Sequence, residues 1–310
     1  MDKKVALISF NPLLDIFFRE EGYSFQRKNF AKYSAYAAGG LAINVARGLR
    51  YLEKTCRVYT ILGGDIGKFV QWQLEKEGIP FSSLEHKEEA RIAVIWNGEK
   101  KNMFVAPSPG FDFPTIEKFI DHWYPEIADH DLVVVGGSVP EEFSEYICEN
   151  LIHRLKIQGK KIIVDSRGLF AKRAFTEAPY IVRYNKEKAA HSKSNPKIDR
   201  CIQEACDLHK QGVSLVVLNT RKHSYAIHSS CIWRYPNASQ FSGAAFGRGD
   251  AFLAGLISAH LDGYDFNGAV RFGIACGASF ACYFPLGNIF TKSIPEYFDR
   301  IQNNWRKRLI

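Results

Sequence analysis

The strongest constraint on this chain is an alternation: short apolar runs rich in β-branched residues hand over repeatedly to stretches with helical spacing. The runs are Val5–Phe10, Arg57–Leu62, Asp131–Val135, Lys161–Val164, Tyr180–Val182 and Ser214–Leu218. Strands this apolar bury both faces, as they do in a parallel sheet covered by helices on either side. The helical stretches are Ala42–Leu52, Lys68–Glu77, Glu141–Ile157, Asp199–Gln211, Asp250–Leu261, Asn267–Ala281 and Ser293–Arg306. Together they predict an α/β fold, a three-layer α-β-α sandwich with a mostly parallel central sheet. A chain of 310 residues can form this as one domain, residues 1–310.

Two segments break the alternation. Residues 16–36 look extended and carry Phe17, Phe18, Tyr23, Phe25 and Tyr33. Residues 91–105 read as a hairpin turned at Asn97-Gly98, the dipeptide favoured in type I′ turns. Together they predict a small β lid standing off the main sheet, over the carboxyl ends of the strands where α/β proteins bind ligands.

Composition removes several classes of protein. With 46% hydrophobic and 24% charged residues, the chain has enough apolar surface to fold and is not disordered. No apolar run reaches the roughly 18 residues a membrane helix needs, and Val5–Phe10 is too short for the core of a signal peptide. The net charge of +8 is spread along the chain, its densest cluster being Arg306-Lys307-Arg308, so it suits phosphorylated substrates better than a nucleic-acid surface. The seven cysteines are scattered without a Cys-x-x-Cys pair, which points to a reducing, cytoplasmic setting rather than to disulfides or zinc.

Three glycine-rich turns lead into helices. The first, Gly39-Gly40 followed by Asn44, would bring a ligand close to the backbone and offer it a side-chain amide. The second, Gly63-Gly64-Asp65-Ile66-Gly67-Lys68-Phe69, lacks both the distal glycine and the hydroxyl of a phosphate-binding P-loop, and reads as a strand-to-helix turn. The third, Gly243 to Gly255, carries Gly247, Arg248, Gly249 and Asp250 straight into an apolar helix. Free amides at such a helix start form an anion site. Asp250 there is either a capping carboxylate or a base placed beside that site.

At these residues the sequence resembles the PfkB, or ribokinase-like, family of carbohydrate kinases, and the likeness runs nearly end to end. Asn11-Pro12-Leu13-Leu14-Asp15, Gly39-Gly40 through Asn44-Val45-Ala46, Gly137-Ser138-Val139-Pro140, Asp165-Ser166-Arg167-Gly168, Arg183-Tyr184-Asn185 and Gly247-Arg248-Gly249-Asp250-Ala251-Phe252 match family motifs in order. The resemblance implies a roughly nine-stranded sandwich with a β lid. It implies a sugar or sugar phosphate held by Asp15, Gly39, Gly40, Asn44 and Arg91, and ATP held near Asn185, Asn219, Thr220, Arg221, Ser224, Gly247, Gly249 and the helix after Ala275. Asp250 would be the base, and the amides from Phe246 through Gly247 and Arg248 to Gly249 the anion hole. Mg²⁺ would accompany the nucleotide, with Glu187 as its candidate ligand. In this family lids often pair across a dimer, so a homodimer through the lid is implied.

The sequence also departs from the family pattern. Leu41 replaces a lysine common in kinases of phosphorylated sugars, Arg248 replaces a small residue, and the acid of Asn-x-x-Glu stands one position early, at Glu187. The nucleotide loop, Asn219 to Ser224, has lost both glycines of its pattern, which restricts backbone approach. These changes fall on the nucleotide side and leave a second reading open, a sugar-binding relative that no longer transfers phosphate. The opening motif and Arg91 are most similar to the 1-phosphofructokinase and tagatose-6-phosphate kinase branch, which implies a phosphorylated ketohexose, while Leu41 points the other way, toward an unphosphorylated sugar or nucleoside.

Overall fold

The computed structural model describes residues 3–19, 28–97, 101–185, 196–220, 222–238, 247–281, 291–302 and 306–309. Its strands are β1 (Val5–Ser9), β2 (Leu13–Arg19), β3 (Tyr33–Gly39), β4 (Cys56–Gly63), β5 (Phe81–His86), β6 (Arg91–Asn97), β7 (Lys101–Val105), β8 (Leu132–Gly137), β9 (Lys161–Ser166), β10 (Ile181–Asn185), β11 (Leu215–Asn219), β12 (His223–His228), β13 (Cys231–Pro236) and β14 (Arg306–Leu309). The helices are α1 (Leu41–Tyr51), α2 (Gly64–Lys76), α3 (Phe113–Ala128), α4 (Ser144–Ile147), α5 (Arg154–Ile157), α6 (Gly168–Thr176), α7 (Pro196–Lys210), α8 (Arg248–Leu261), α9 (Phe266–Ala281) and α10 (Ile294–Gln302).

Ten strands form one sheet in the order β14-β13-β12-β11-β10-β9-β8-β1-β4-β5. From β11 to β5 all neighbours are parallel, and β12 to β14 add an antiparallel edge. Period-two alternation sorts the side chains of the central strands into two cores. Val5, Leu7, Val58 and Val134 pack with α1, α8 and α9 on one face. Ala6, Ile8, Tyr59, Val133 and Val135 pack with α3 and α6 on the other. Helix α8 is buried at every position from Ala251 to Ala259, lying between α1 and α9. This is the three-layer sandwich the alternation predicts.

The chain runs from β1 outward through β4 and β5, then returns to build β8 to β11 on β1's other side. That reversal opens a crevice beyond the carboxyl ends of β1 and β8, the position where sheets of this kind hold ligands. A second sheet, ordered β3-β2-β6-β7, stands over this crevice. Its first two strands run from Leu13 to Gly39, a few residues wider on each side than the extended stretch read at 16–36; residues 20–27 lie outside the described residues.

Three elements differ from the sequence reading. The helix read over 141–157 is a 3₁₀ turn, α4, a π-helical turn over Cys148–His153 and α5. The C-terminal helix stops at Gln302, and Arg306–Leu309 pairs with β13 instead. Helix α3 escapes the sequence reading although Asp112 caps it through the amide of Thr115, because Pro114 and Pro125 both look like breakers. Pro114 lies in its first turn, where the missing N–H costs nothing.

Candidate active site

Under the small sheet lies a cleft of about 990 Å³, lined by Asp15, Gly40, Asn44, Arg47, Arg91, Asp165, Arg183, Gly247, Gly249 and Asp250 among others. It gathers residues from sequence positions 9 to 280 because β1, β8, β9 and β10 all end there.

The register of the small sheet explains why Asp15 points into it. Leu13, Asp15 and Phe17 share a face with Ala37 and Ala35 of β3 and with Ala93 and Ile95 of β6. Ala37 and Ala93 flank Asp15 directly, leaving its carboxylate room. Gly39 is required: a β-carbon there would collide with Asp15 Oδ2. Asp15 Oδ1 is buried with no hydrogen-bond partner, an acceptor waiting for a donor. Burial, then the charge of Asp250, pushes the Asp15 carboxyl up to about 7, with Arg47 opposing.

Asp250 occupies the first turn of α8, behind Gly247 at φ 80°, a left-handed conformation natural to glycine. It keeps part of its surface open to the cleft. Asn44 Nδ2 donates to Asp250 Oδ2 at 2.8 Å, tying α1 to α8 across 206 positions of sequence. Burial pushes the Asp250 carboxyl up to about 6; the Asn44 hydrogen bond, Arg183 and Arg47 pull against it, and Asp165 adds to it. A carboxylate in that range is mostly ionised near neutrality and still a useful proton acceptor.

Behind Gly249 lies Arg183, buried in the middle of β10 in an ion pair with Asp165 and 5.3 Å from the Phe252 ring. Its guanidinium lies where a Gly249 β-carbon would point. Asp165, Arg167 and Arg183 stand within motifs matched in the sequence but without an assigned role, and Arg47 escapes the sequence reading altogether. A usable signal existed: charged residues at the carboxyl ends of buried strands seldom serve packing.

The helix starts differ in one respect. The amides of Asp65 and Ile66, which open α2, already donate to Glu89 at 3.0 and 2.9 Å, so the second glycine turn is closed to ligands. Leu169, at the start of α6, donates to Glu141 at 3.2 Å. At α8 the preceding residue is a glycine with no side chain to cap it, and that start faces the cleft. Arg248 leaves the hollow open: it is not among the residues lining the cleft, and its stem lies over Gly277 of α9.

Arg91, at the start of β6, donates to the Asn11 carbonyl at 2.7 Å and reaches Ser138 Oγ at 3.5 Å. Burial first, and the like charge of Arg167 second, disfavour its protonated form. Of the nucleotide candidates, Gly247 and Gly249 line this cleft, whereas Asn219, Thr220 and Ser224 are not among its lining residues. Asn185 closes β10 in register with Asn219. Asn219, Thr220 and Ser224 are buried, and Thr220 spends its hydroxyl on a tight turn with His223. Arg221, Glu187 and Phe246 lie outside the described residues. Among the described residues no group of three or more His, Cys, Asp or Glu is placed to hold a metal ion. None of their helices is long and apolar enough to cross a membrane.

Comparison with known proteins agrees with this fold. The profile described as pfkB family carbohydrate kinase matches residues 12–284. A tagatose-6-phosphate kinase of Staphylococcus epidermidis is 23% identical over 96% of this chain and 98% of its own length. A 1-phosphofructokinase of Bacillus subtilis is 20% identical over 91% of this chain and 94% of its own. The crystal structure of Escherichia coli phosphofructokinase-2 in complex with fructose-6-phosphate has the same fold, with a TM-score of 0.83 at 19% identity, covering 97% of this chain and all of that one.

Proposed function

The chain belongs to the pfkB family of carbohydrate kinases, and from that membership we propose that it transfers the γ-phosphate of ATP to a hydroxyl of a sugar or sugar phosphate, with Asp250 as the base. The observation that carries the reading is the shared cleft: the uncapped start of α8, Asp250 and the orphaned Asp15 carboxylate all face one space.

In this reading Asp15 and Asn44 hold sugar hydroxyls, and the backbone at Gly39 and Gly40 lets the ring approach closely. Asn44 occupies one Asp250 oxygen, leaving the other to take the acceptor hydroxyl's proton. The hydroxyl oxygen then bonds to the γ-phosphorus as the bond to the bridging oxygen of the departing ADP breaks. The first amides of α8, including those of Gly247 and Gly249, stabilise the charge on the migrating group. Magnesium, arriving with the nucleotide, supplies charge neutralisation on the phosphates. ATP enters along β10 and β11, past Asn185 and Asn219; the hydroxyl and N–H of Thr220 are both committed to His223, and its carbonyl accepts from Asn237.

Two arginines side by side, Arg91 and Arg167, favour an acceptor that is itself anionic. The relatives named tagatose-6-phosphate kinase and 1-phosphofructokinase support a phosphorylated ketohexose. A panel of sugars and sugar phosphates, scored by ADP release, tests this. The highest kcat/KM is expected for a phosphorylated ketohexose, and ATP with Mg²⁺ should raise the melting temperature. Stabilisation by sugar alone, with no ADP release from any acceptor, would replace the kinase with a sugar-binding relative.

The outer strands of the small sheet leave Tyr33, Tyr36, Met103 and Phe104 exposed, Phe104 at 70%. Apolar surface of this kind on strand edges calls for a partner, and a homodimer through the lid provides one. Light scattering after size exclusion should give twice the chain mass of 35.2 kDa; the mass of one chain would reject the dimer. The six described cysteines are buried and in no disulfide, which suits the cytoplasm.

A further inference from the structure

Arg47 is a buried cation of α1 for which the phosphoryl-transfer chemistry above has no use. It follows Asn44 by three residues, so one helical turn puts both side chains on the same face. Although only 6% exposed, Arg47 makes four hydrogen bonds. Nε and Nη2 fork onto the Glu77 carboxylate at 2.6 and 2.9 Å, and Nη2 also donates to the Ala38 carbonyl at 3.0 Å. Nη1 donates to Asn44 Oδ1 at 2.9 Å.

That last bond decides how the Asn44 amide faces. With Oδ1 turned to the cation, Nδ2 is left to donate to Asp250 Oδ2 at 2.8 Å. The flipped amide would set its oxygen against a carboxylate oxygen and its NH₂ against a guanidinium, two repulsive pairs. Glu77 follows the last residue of α2, so the chain Glu77–Arg47–Asn44–Asp250 anchors the base through α1 to a helix on the far side of it.

We propose that Arg47 is a positioning residue for phosphoryl transfer, orienting the Asn44 amide and through it holding Asp250 in place and ionised. This rests on Asp250 being the base. The charged groups facing Asp250 are Arg47 on α1, Asp15 on β2, Asp165 on β9 and Arg183 on β10. Arg47 is the cation common to Asp15 and Asp250, lowering the proton affinity of each. Its loss therefore lets Asp250 keep its proton to higher pH.

The test is Arg47→Met, which retains the apolar stem, compared with wild type by two measurements. One is kcat and KM across pH; the other is a ¹³C-carboxyl NMR titration of Asp250, assigned by the signal missing from Asp250→Asn. On the alkaline plateau, where Asp15 and Asp250 are ionised in both proteins, kcat of Arg47→Met should fall on the order of 100-fold while sugar KM moves less than about threefold. The acid limb and the Asp250 titration should both move up by about one pH unit. Arg47→Lys should restore the titration but not kcat, since an ammonium cannot fork to Glu77 and hold Asn44 together. A folded Arg47→Met protein with wild-type kcat and an unmoved titration overturns the proposal. If Arg47→Met does not fold, wild-type kcat in Arg47→Lys overturns it. A wild type that phosphorylates no acceptor, with an Asp250 titration that still moves in Arg47→Met, sinks the kinase reading and upholds the relay.

Discussion

Asp250→Asn should cut kcat by at least 10²–10⁴-fold, the span typical of a positioned general base, while leaving sugar binding near wild type. The substitution is isosteric, and the new amide oxygen can still accept from Asn44. The protein should not unfold. The Asp250 carboxyl holds its proton more tightly in the fold than in an open chain, so its charge at neutral pH costs stability and the neutral amide avoids that cost. The pH profile sharpens the test. A base must be unprotonated, so wild-type turnover should fall as pH drops through about 6, where the Asp250 carboxyl takes up its proton. Residual turnover in Asp250→Asn should lack that limb. Near-normal turnover, measured by ADP release with titration calorimetry for the sugar, would remove Asp250 from the reaction.

Asp15→Asn should show two effects of opposite sign: weaker sugar binding and a more stable protein. Losing a charged acceptor for sugar hydroxyls weakens binding by about 1.5–3 kcal/mol, roughly 10- to 100-fold. Stability follows from linkage. The Asp15 carboxyl rises from 3.8 to about 7 in the fold, so between those values the folded chain binds a proton that the unfolded chain has lost. Wild-type stability therefore increases as pH falls through this window, and the cost of the buried charge is fully present only above about 7. The neutral amide of the Asp15→Asn variant carries no such cost. The ceiling is about 4 kcal/mol, and relaxation of the site should leave about 2 kcal/mol, or roughly 3 °C in melting temperature. The gain should appear at pH 8 and vanish near pH 4. Melting curves at both pH values decide it; equal midpoints at pH 8 would mean that Asp15 is solvated rather than buried and uncompensated.

Much of this molecule is legible along the chain. The β-branched runs became β1, β4, β8, β9, β10 and β11 with ends shifted by at most three residues. Hydrophobic period is a local property, and burial enforces it. The edge strands β12 to β14 are not legible because Trp233, Arg234 and Arg306 to Arg308 interrupt any apolar pattern there. The glycine turns could be told apart in part: the second fails as a P-loop on spacing alone. That its amides are filled by Glu89, 24 residues away from Asp65, was not legible.

What the residue order determined is the alternation of strand and helix, hence the parallel sheet, and the placing of Asp250 after paired glycines at a helix start. Both follow from local rules, side-chain period and backbone freedom at glycine, which act over a few residues. What only the tertiary structure decided is which charges meet. Asp15 and Asp250 face each other because β2 crosses the mouth of the sheet, and Arg47 lies between them because α1 packs on α8. Electrostatic coupling depends on distance through space and on the removal of water, and neither is written in the spacing of residues along a chain.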